Sequence, residues 1–309
     1  MVALEKIRDE MFDDIYSSYL DDGDRFLTKD DWRPLFSRSS AGEPGHCGYA
    51  LVDGSRVVGV LGMLFSERNI AGRTARFCNL HSWYVDDEFR GKSLLLMRQA
   101  LRLGDHTLTD FTPTEKVCAI STRLGFEPLD SAVRVLLPFG GKSTRAARDS
   151  AIQITSDSNV IKANLSPSDS VLFHTHQVRH CEHLLVTHAD QICYLICSNV
   201  DRYFLPYRQI HYISNKPLFE QALPQITTYL LAGSNAHFTA VEDRLVAGLK
   251  LPRSFRLPMQ SRQIFRPYNV DPAEIDELSS EVSLLGLSTF PSLSYRIRNV
   301  IKGVRTRFR

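Results

Sequence analysis

Apolar positions along this chain fall into two rhythms, short alternating runs closed by turn residues and longer stretches with helical spacing. Tyr49-Ala-Leu-Val52 and Arg56-Val-Val-Gly-Val-Leu-Gly-Met-Leu-Phe65 flank Asp53-Gly54. Two such runs around a dipeptide that supplies positive φ predict a β-hairpin. A short strand is expected before it at 2–7. Two acidic amphipathic helices are expected near 9–20 and 29–37, separated by Asp21-Asp22-Gly23-Asp24. A strand from Arg76 to Val85 follows a turn at Gly72. A helix over about 89–103 comes next, with Leu94, Leu95, Met97, Ala100 and Leu101 making one side almost wholly apolar. A helix of that kind is covered on one face by a sheet. Thr107–Asp110 reads as a strand and Pro113–Leu124 as a helix. That helix has proline at its start, where the missing N–H costs nothing, and Gly125 as its cap. The strand Ala132–Pro138 closes this set of elements.

The second half repeats the order. A helix near 167–177 precedes strands at 181–188 and 191–198, which turn at His188-Ala-Asp190. A strand at 209–213, a helix at 216–232, a strand at 236–241 and a helix over 271–287 follow. The halves share element order but no evident sequence repeat, so duplication stands as a hypothesis. Residues 139–160 are small and polar. The expected organisation is a first domain over 1–140, a linker over 141–160, a second α/β domain over 161–287 and a basic tail over 288–309. A chain of 309 residues accommodates two domains of ordinary size.

Charge changes this picture only at the end. Residues 1–140 carry 17 Lys or Arg against 21 Asp or Glu, and residues 141–295 carry 14 of each. Arg296, Arg298, Lys302, Arg305, Arg307 and Arg309 then come without an acid. With Ile297, Val300, Ile301, Val304 and Phe308 between them, a helix there would show one apolar stripe edged by cations. That pattern suits peripheral contact of 296–309 with an anionic membrane face, a solvated tail being the plain alternative. Nucleic acid is not an expected partner. The start of the chain lacks the pattern of a signal peptide, and no apolar run has the length of a membrane span. Cys47, Cys78, Cys118, Cys181, Cys193 and Cys197 form no close pair, which fits a reducing, cytoplasmic setting. His174, His176, His180, His183 and His188 lack the converging local pairs of a metal site, so no metal is expected.

The chemistry concentrates in Leu80-His-Ser-Trp-Tyr-Val-Asp-Asp-Glu-Phe-Arg-Gly-Lys-Ser-Leu-Leu-Leu96. A strand ends at Val85, an acidic turn follows, and Arg90-Gly91-Lys92-Ser93 opens a helix. Helix-start amides with two cations beside them suit a diphosphate. A nucleotide-binding Walker loop is excluded for Gly91-Lys92-Ser93, because Asp86 stands where it needs glycine. The second Gly-Lys-Ser, at 141–143, fails in the same way at Leu136. Some thirty residues on, Thr122-Arg-Leu-Gly-Phe-Glu-Pro128 ends a helix and enters a strand.

This succession resembles the acetyl-CoA motif of the GNAT N-acetyltransferase superfamily, over roughly residues 1–138. The resemblance implies an α/β fold with a mixed central sheet and flanking helices. The element order of the second half extends it to two tandem GNAT-like domains, the second a degenerate copy. The family loop Q/R-x-x-G-x-G/A falls on Arg90 to Leu95, with Ser93 and Leu95 where the family has Gly or a small residue. The resemblance assigns Arg90, Gly91, Lys92, Ser93 and Leu94 to the diphosphate of acetyl-CoA or another acyl-CoA, the co-substrate. It sets the backbone at Tyr84 and Val85 against the pantetheine arm, where an N–H polarises the thioester carbonyl. The family often carries its base on that strand, where His81 is the candidate and Ser82 a remoter one. His81 as a structural residue is the alternative. The family's frequent general acid, a tyrosine, falls on Ser121, too weak an acid to protonate a thiolate, which leaves water, Cys118 or a further residue that the motif does not mark.

The expected activity is therefore transfer of an acetyl or other acyl group from CoA to a small-molecule or sugar amine, by direct attack. Two alternatives stay open: an inactive GNAT-like binding or assembly protein, and an acyltransferase acting at the inner membrane face on an amino-sugar or lipid precursor.

Overall fold

The computed structural model describes residues 1–21, 26–37, 45–70, 72–138, 151–201, 205–259, 262–288 and 290. The chain runs through β1 (Val2–Lys6), α1 (Phe12–Ile15), α2 (Lys29–Ser37), β2 (Gly48–Asp53), β3 (Arg56–Ile70) and β4 (Arg73–Val85). Then come α3 (Ser93–Leu101), β5 (Thr107–Asp110), α4 (Glu115–Arg123), β6 (Glu127–Pro128) and β7 (Ala132–Leu136). The later part holds β8 (Gln153–Thr155), α5 (Ser158–Asn164), α6 (Pro167–Thr175), β9 (Cys181–His188), β10 (Gln191–Val200) and β11 (Tyr207–Ile213). It ends with α7 (Lys216–Gln221), α8 (Leu223–Leu231), β12 (Phe238–Glu242), β13 (Ser254–Pro258), β14 (Ile264–Arg266) and α9 (Glu281–Leu285).

These elements form two compact units. The first comprises Met1–Asp130, His176–His180 and Arg262–Leu285, and the second Ser131–Thr175, Cys181–Ser261 and the chain from Gly286 on. Each holds one seven-stranded mixed sheet with helices beside it, the α/β architecture expected, and two such sheets fit a tandem layout. The strand orders are β1-β2-β3-β4-β5-β14-β6 and β8-β9-β10-β11-β12-β7-β13. Position by position the two orders correspond. In each, every neighbouring pair is antiparallel except the fourth and fifth strands, β4 with β5 and β11 with β12. A parallel pair needs a crossover, and α3 in one unit and α7–α8 in the other supply it.

The sixth position of each sheet departs from the sequence reading. Ala132–Leu136, expected to close the first set of strands, lies in the second sheet between β12 and β13. Its counterpart between β5 and β6 is β14, from more than a hundred residues further on. Strand periodicity shows that 132–136 is a strand, but both candidate edges offer the same hydrogen-bonding ladder, so local pattern cannot choose between them. Ile264 and Phe265 of β14 are buried, as are Val133, Val135 and Leu136 of β7.

Other differences are local. The segment expected as linker carries β8 and the start of α5, where Asp157 caps the helix by accepting from the Asn159 and Val160 amides. The helix expected over 216–232 divides at Ala222, ahead of Pro224, which cannot donate within a helix. The helix expected over 271–287 is reduced to a 3-10 turn at Pro272–Glu274 and α9. The basic segment 296–309 lies outside the described residues.

In the first unit, α3 lays Leu96, Met97 and Ala100 on a sheet face built from Leu61, Met63, Cys78, Leu80 and Leu108. In the second, Leu218, Phe219, Leu223, Ile226 and Leu230 of α7 and α8 cover Leu195, Cys197, Ile210 and Val241. Apolar burial of this extent is the main favourable term for each unit.

Because each sheet takes its sixth strand from the other half of the sequence, fragments 1–138 and 151–309 should be unfolded or aggregated alone and should recover a cooperative thermal transition on co-expression. Circular dichroism melts of each fragment and of the pair test this. Phe265→Ala should cost about 3–5 kcal/mol in the intact chain.

Candidate active site

The site expected from the sequence is built where β4 and β5 part. Their parallel pairing covers Phe77↔Thr107, Cys78↔Leu108 and Asn79↔Thr109. Beyond it β5 ends at Asp110, while β4 continues to Val85, still paired with β3 up to Val85↔Gly59. Over residues 80–85, β4 therefore has no strand partner on its β5 side among the described residues. Unpaired amide and carbonyl groups on such an edge can accept an extended ligand by strand-like hydrogen bonds. A bulge bends β4 at this point, because two residues, Ser82 and Trp83, lie between His81↔Gly62 and Tyr84↔Val60 against one on β3. Ser82 takes φ +50°, a left-handed conformation uncommon for a residue with a side chain.

After β4 the chain is anchored before it turns. The Asp86 carboxylate accepts from the Tyr19 hydroxyl at 2.8 Å and pairs with Arg56. Asp87–Lys92 then wind as a 3-10 helix, and the α-helix begins only at Ser93. The expected α-helical opening at Arg90 is thus displaced by three residues. Phe89 is drawn against the core beneath the sheet, which tightens the turn, and Gly91 gives an α-helix little support. The Phe89 amide bonds Asp86 O at 2.9 Å, and the Ser93 amide bonds Arg90 O. Several amides that an open anion loop would present are spent within this winding. Arg90 and Lys92 are exposed, Arg90 pairing with Asp87 at 2.6 Å. A side chain added at Gly91 would meet nothing within 4 Å, so the approach to this turn is open. Leu94 and Leu95 follow, both exposed. Tyr84 stacks on Tyr19 with ring centres 5.9 Å apart, and Val85 lies against Gly59, leaving the strand edge at 84–85 to its backbone. Tyr84, Val85 and the 90–94 segment are thus continuous along one path from strand edge to helix start.

His81 is placed apart from that path. It alternates with Leu80, so its ring rises on the sheet face away from α3 and meets Phe36 edge-on at 5.2 Å. Only a glycine fits beneath it, since a Cβ at Gly62 would come within 2.2 Å of the ring. His81 is 4% exposed, its Nδ1 lies 3.1 Å from Ser82 Oγ, and its Nε2 is buried without a partner. Burial pushes its pKa down to about 3. A ring so reluctant to charge is a poor proton acceptor near neutral pH, which weighs for the structural alternative.

Sequence reasoning missed a buried polar group at the base of the fork. Glu281 accepts from Thr112 Oγ1 and Asn79 Nδ2, each at 2.5 Å, and Thr109 donates to Asn79 Oδ1 at 3.1 Å. Asp110 accepts the Thr112 amide at 3.2 Å. Glu281 joins this group from some 200 residues away, with no local signal to mark it. Of the second-half histidines, His176 bonds Leu278 O, His180 meets Asp31, His183 meets the Tyr194 hydroxyl and His188 meets Gln221. They do not converge. A cavity lined by Arg73, Arg76, Asp105, Tyr268 and Glu274 lies at the amino-terminal end of β4, away from the fork.

The His81 assignment carries a pH signature. Its folded-state pKa is depressed below the unfolded value of about 6.5, so unfolding takes up a proton between roughly pH 3 and 6.5. Stability is therefore retained above that window and falls with pH inside it, by at most about 1.4 kcal/mol per pH unit. His81→Leu should flatten this slope in denaturant melts at pH 4 to 7, and an unchanged slope would show that His81 charges freely.

No family model matches the sequence, and no curated protein matches it either. Similarity is found among solved structures. A GCN5-related N-acetyltransferase from Kribbella flavida superposes with a TM-score of 0.52 at 16% identity, over 86% of this chain and 70% of that one. One from Anabaena variabilis ATCC 29413 gives 0.55 at 12% identity, over 86% and 72%. A candidate acetyltransferase from Pyrococcus horikoshii gives 0.51 at 11% identity, over 90% and 92%. By these superpositions the chain has the fold of the GCN5-related N-acetyltransferases.

Proposed function

We propose that the first unit transfers an acyl group from CoA to an amine by direct attack, without a covalent enzyme intermediate. The observation that carries this reading is the open edge of β4 at residues 80–85, leading without interruption into the exposed Arg90-Gly91-Lys92 turn. An acyl-CoA presents a matching series, with amides along its pantetheine arm and a diphosphate at the end of it. The strand edge suits the amides, and the two cations suit the diphosphate. The fold likeness to N-acetyltransferases supports the same class of reaction.

The residues of this chain would act as follows. Backbone groups at Tyr84 and Val85 orient the arm and offer an N–H to the thioester oxygen, where charge develops as the amine adds. Arg90 and Lys92, with Gly91, Ser93 and Leu94 around them, hold the diphosphate, Arg90 leaving Asp87 to do so. His81, neutral and buried, contributes position to β4, and the incoming amine gives up its proton to water. The acceptor is a small-molecule or sugar amine, and the second unit, which lacks an Arg-Gly-Lys turn, does not take CoA. A non-enzymatic binding module is the second reading, favoured by the 3-10 winding of 87–92 and by the Arg90–Asp87 pair. Among the described residues no helix is long and apolar enough to cross a membrane. Peripheral attachment through 296–309 remains a proposal, for which liposome sedimentation with and without residues 291–309 is the test.

Calorimetric titration with acetyl-CoA decides the first point. Wild type should bind, and the Arg90→Glu/Lys92→Glu double variant should bind on the order of tenfold or more weakly, an effect diminished by salt. A folded wild type that binds neither acetyl-CoA nor longer acyl-CoAs would refute the proposal. If it binds, release of CoA thiol with lysine, glucosamine and spermidine separates an enzyme from a binding module.

A further inference from the structure

Acyl transfer from CoA needs a proton at sulfur as the thiol departs, and Ser121, on the helix that faces the fork, is too weak an acid to give one. Two carboxyl groups stand nearby without a role. Asp110 is the last residue of β5 and stands two residues after Leu108, so it belongs to the same sheet face, the one that α3 and α4 cover. On that face α4 turns Cys118 and Ser121 inward, one helical turn apart. Burial, and after it the Asp110 carboxylate, push the Cys118 thiol up. Ser121 is 1% exposed and its hydroxyl has no partner, so an unused polar atom accompanies the carboxyl. Asp110 is itself 92% buried, being 8% exposed. Its Oδ1 accepts the Thr112 amide at 3.2 Å.

Resting on the acyl-transfer reading, we propose that Asp110 is the general acid of the reaction, donating its proton to the CoA sulfur, with Glu281 as a residue that positions it through Thr112, which bonds both carboxyl groups. The amine nitrogen forms a bond to the thioester carbon and loses one proton to water. The C–S bond breaks, its electron pair goes to sulfur, and the Asp110 proton goes to the same atom, giving the amide and the free thiol. Asp110 regains its proton from water before the next turnover. Nothing is oxidised or reduced.

Three features fit Asp110 for this task. It lies at the carboxyl end of two parallel strands where they diverge, the position at which open α/β sheets admit ligands. Burial, with the Glu281 carboxylate adding to it, holds its carboxyl well above the usual range, so it carries a proton where an ordinary aspartate would not. Glu281 is raised by burial but is offset by donors from Thr112 and Asn79, so it is the partner that accepts charge. The other titrating group beside Asp110 is Cys118, which Arg262 also faces.

The test is the pH profile of acyl transfer. With acetyl-CoA and glucosamine, lysine or spermidine as acceptor, Asp110→Asn should lower kcat on the order of 10²-fold with KM for acetyl-CoA little changed. In wild type kcat should fall on the alkaline side as Asp110 gives up its proton, and Asp110→Asn should lose this limb. The shape of a profile measured within one preparation is independent of the fraction folded, so poor folding of the variant cannot imitate the result. Glu281→Gln removes a charge that helps Asp110 keep its proton, and should move the alkaline limb to lower pH. An unchanged kcat, or an alkaline limb that persists in Asp110→Asn, would overturn the assignment of Asp110 while leaving acyl transfer in place. A wild type that binds acetyl-CoA and releases no thiol with any amine would end both.

Discussion

The constraint on which the structure depends is the reciprocal exchange of one inner strand. Each sheet closes around a sixth strand that the other half of the sequence supplies, β14 in the first and β7 in the second. An inner strand is paired on both edges and buried on its faces, so its absence would leave two ladders of amide and carbonyl groups without partners. Hydrogen bonding and apolar burial therefore tie the completion of each sheet to the whole chain. Contacts this far apart in sequence are entropically costly to close, and a chain of this topology is expected to fold slowly.

That arrangement bears on the site. β14 pairs with β5, and the segment that follows it carries Glu281 to the end of the same strand, where it meets Asn79 and Thr112. Arg68 and Asp276 form a further ion pair between β3 and this segment. The fork between β4 and β5 is thus held open from outside the first half. The bulge at Ser82 and Trp83 bends β4, the end of β5 at Asp110 releases it, and the late segment fixes β5 in place.

Much of the fold was legible in the sequence. The hairpin around Asp53-Gly54, the strand ending at Val85 and the Gly125-capped helix were all marked by turn chemistry or by periodicity, which are local properties. The same is true of the Arg90-Gly91-Lys92 turn. What could not be read depended on distance. β7 looks like a strand wherever it pairs, and nothing in its five residues says which sheet receives it. Glu281 sits in a segment that reads as one more helix, and only the fold buries it against Asn79 and Thr112. His81 shows the limit from the other side. A histidine on the strand that leads to the site reads naturally as a base, but strand alternation sends it to the face of Phe36 and Gly62, where charge is costly. One residue of register separates the two outcomes.

The second sheet repeats the feature that opens the first. β11 pairs in parallel with β12 through Ile210↔Val241, continues to Ile213, and carries its own bulge at His211 against β10. The crossover helix that follows begins differently, with the Asn215 side chain already bonded to the Leu218 amide at the position where an anion would bind. The second sheet thus has the backbone frame of a fork, followed by a helix start whose amide is already satisfied from within the chain. Such a frame is held by strand pairing and not by the loop after it, so the two can vary independently.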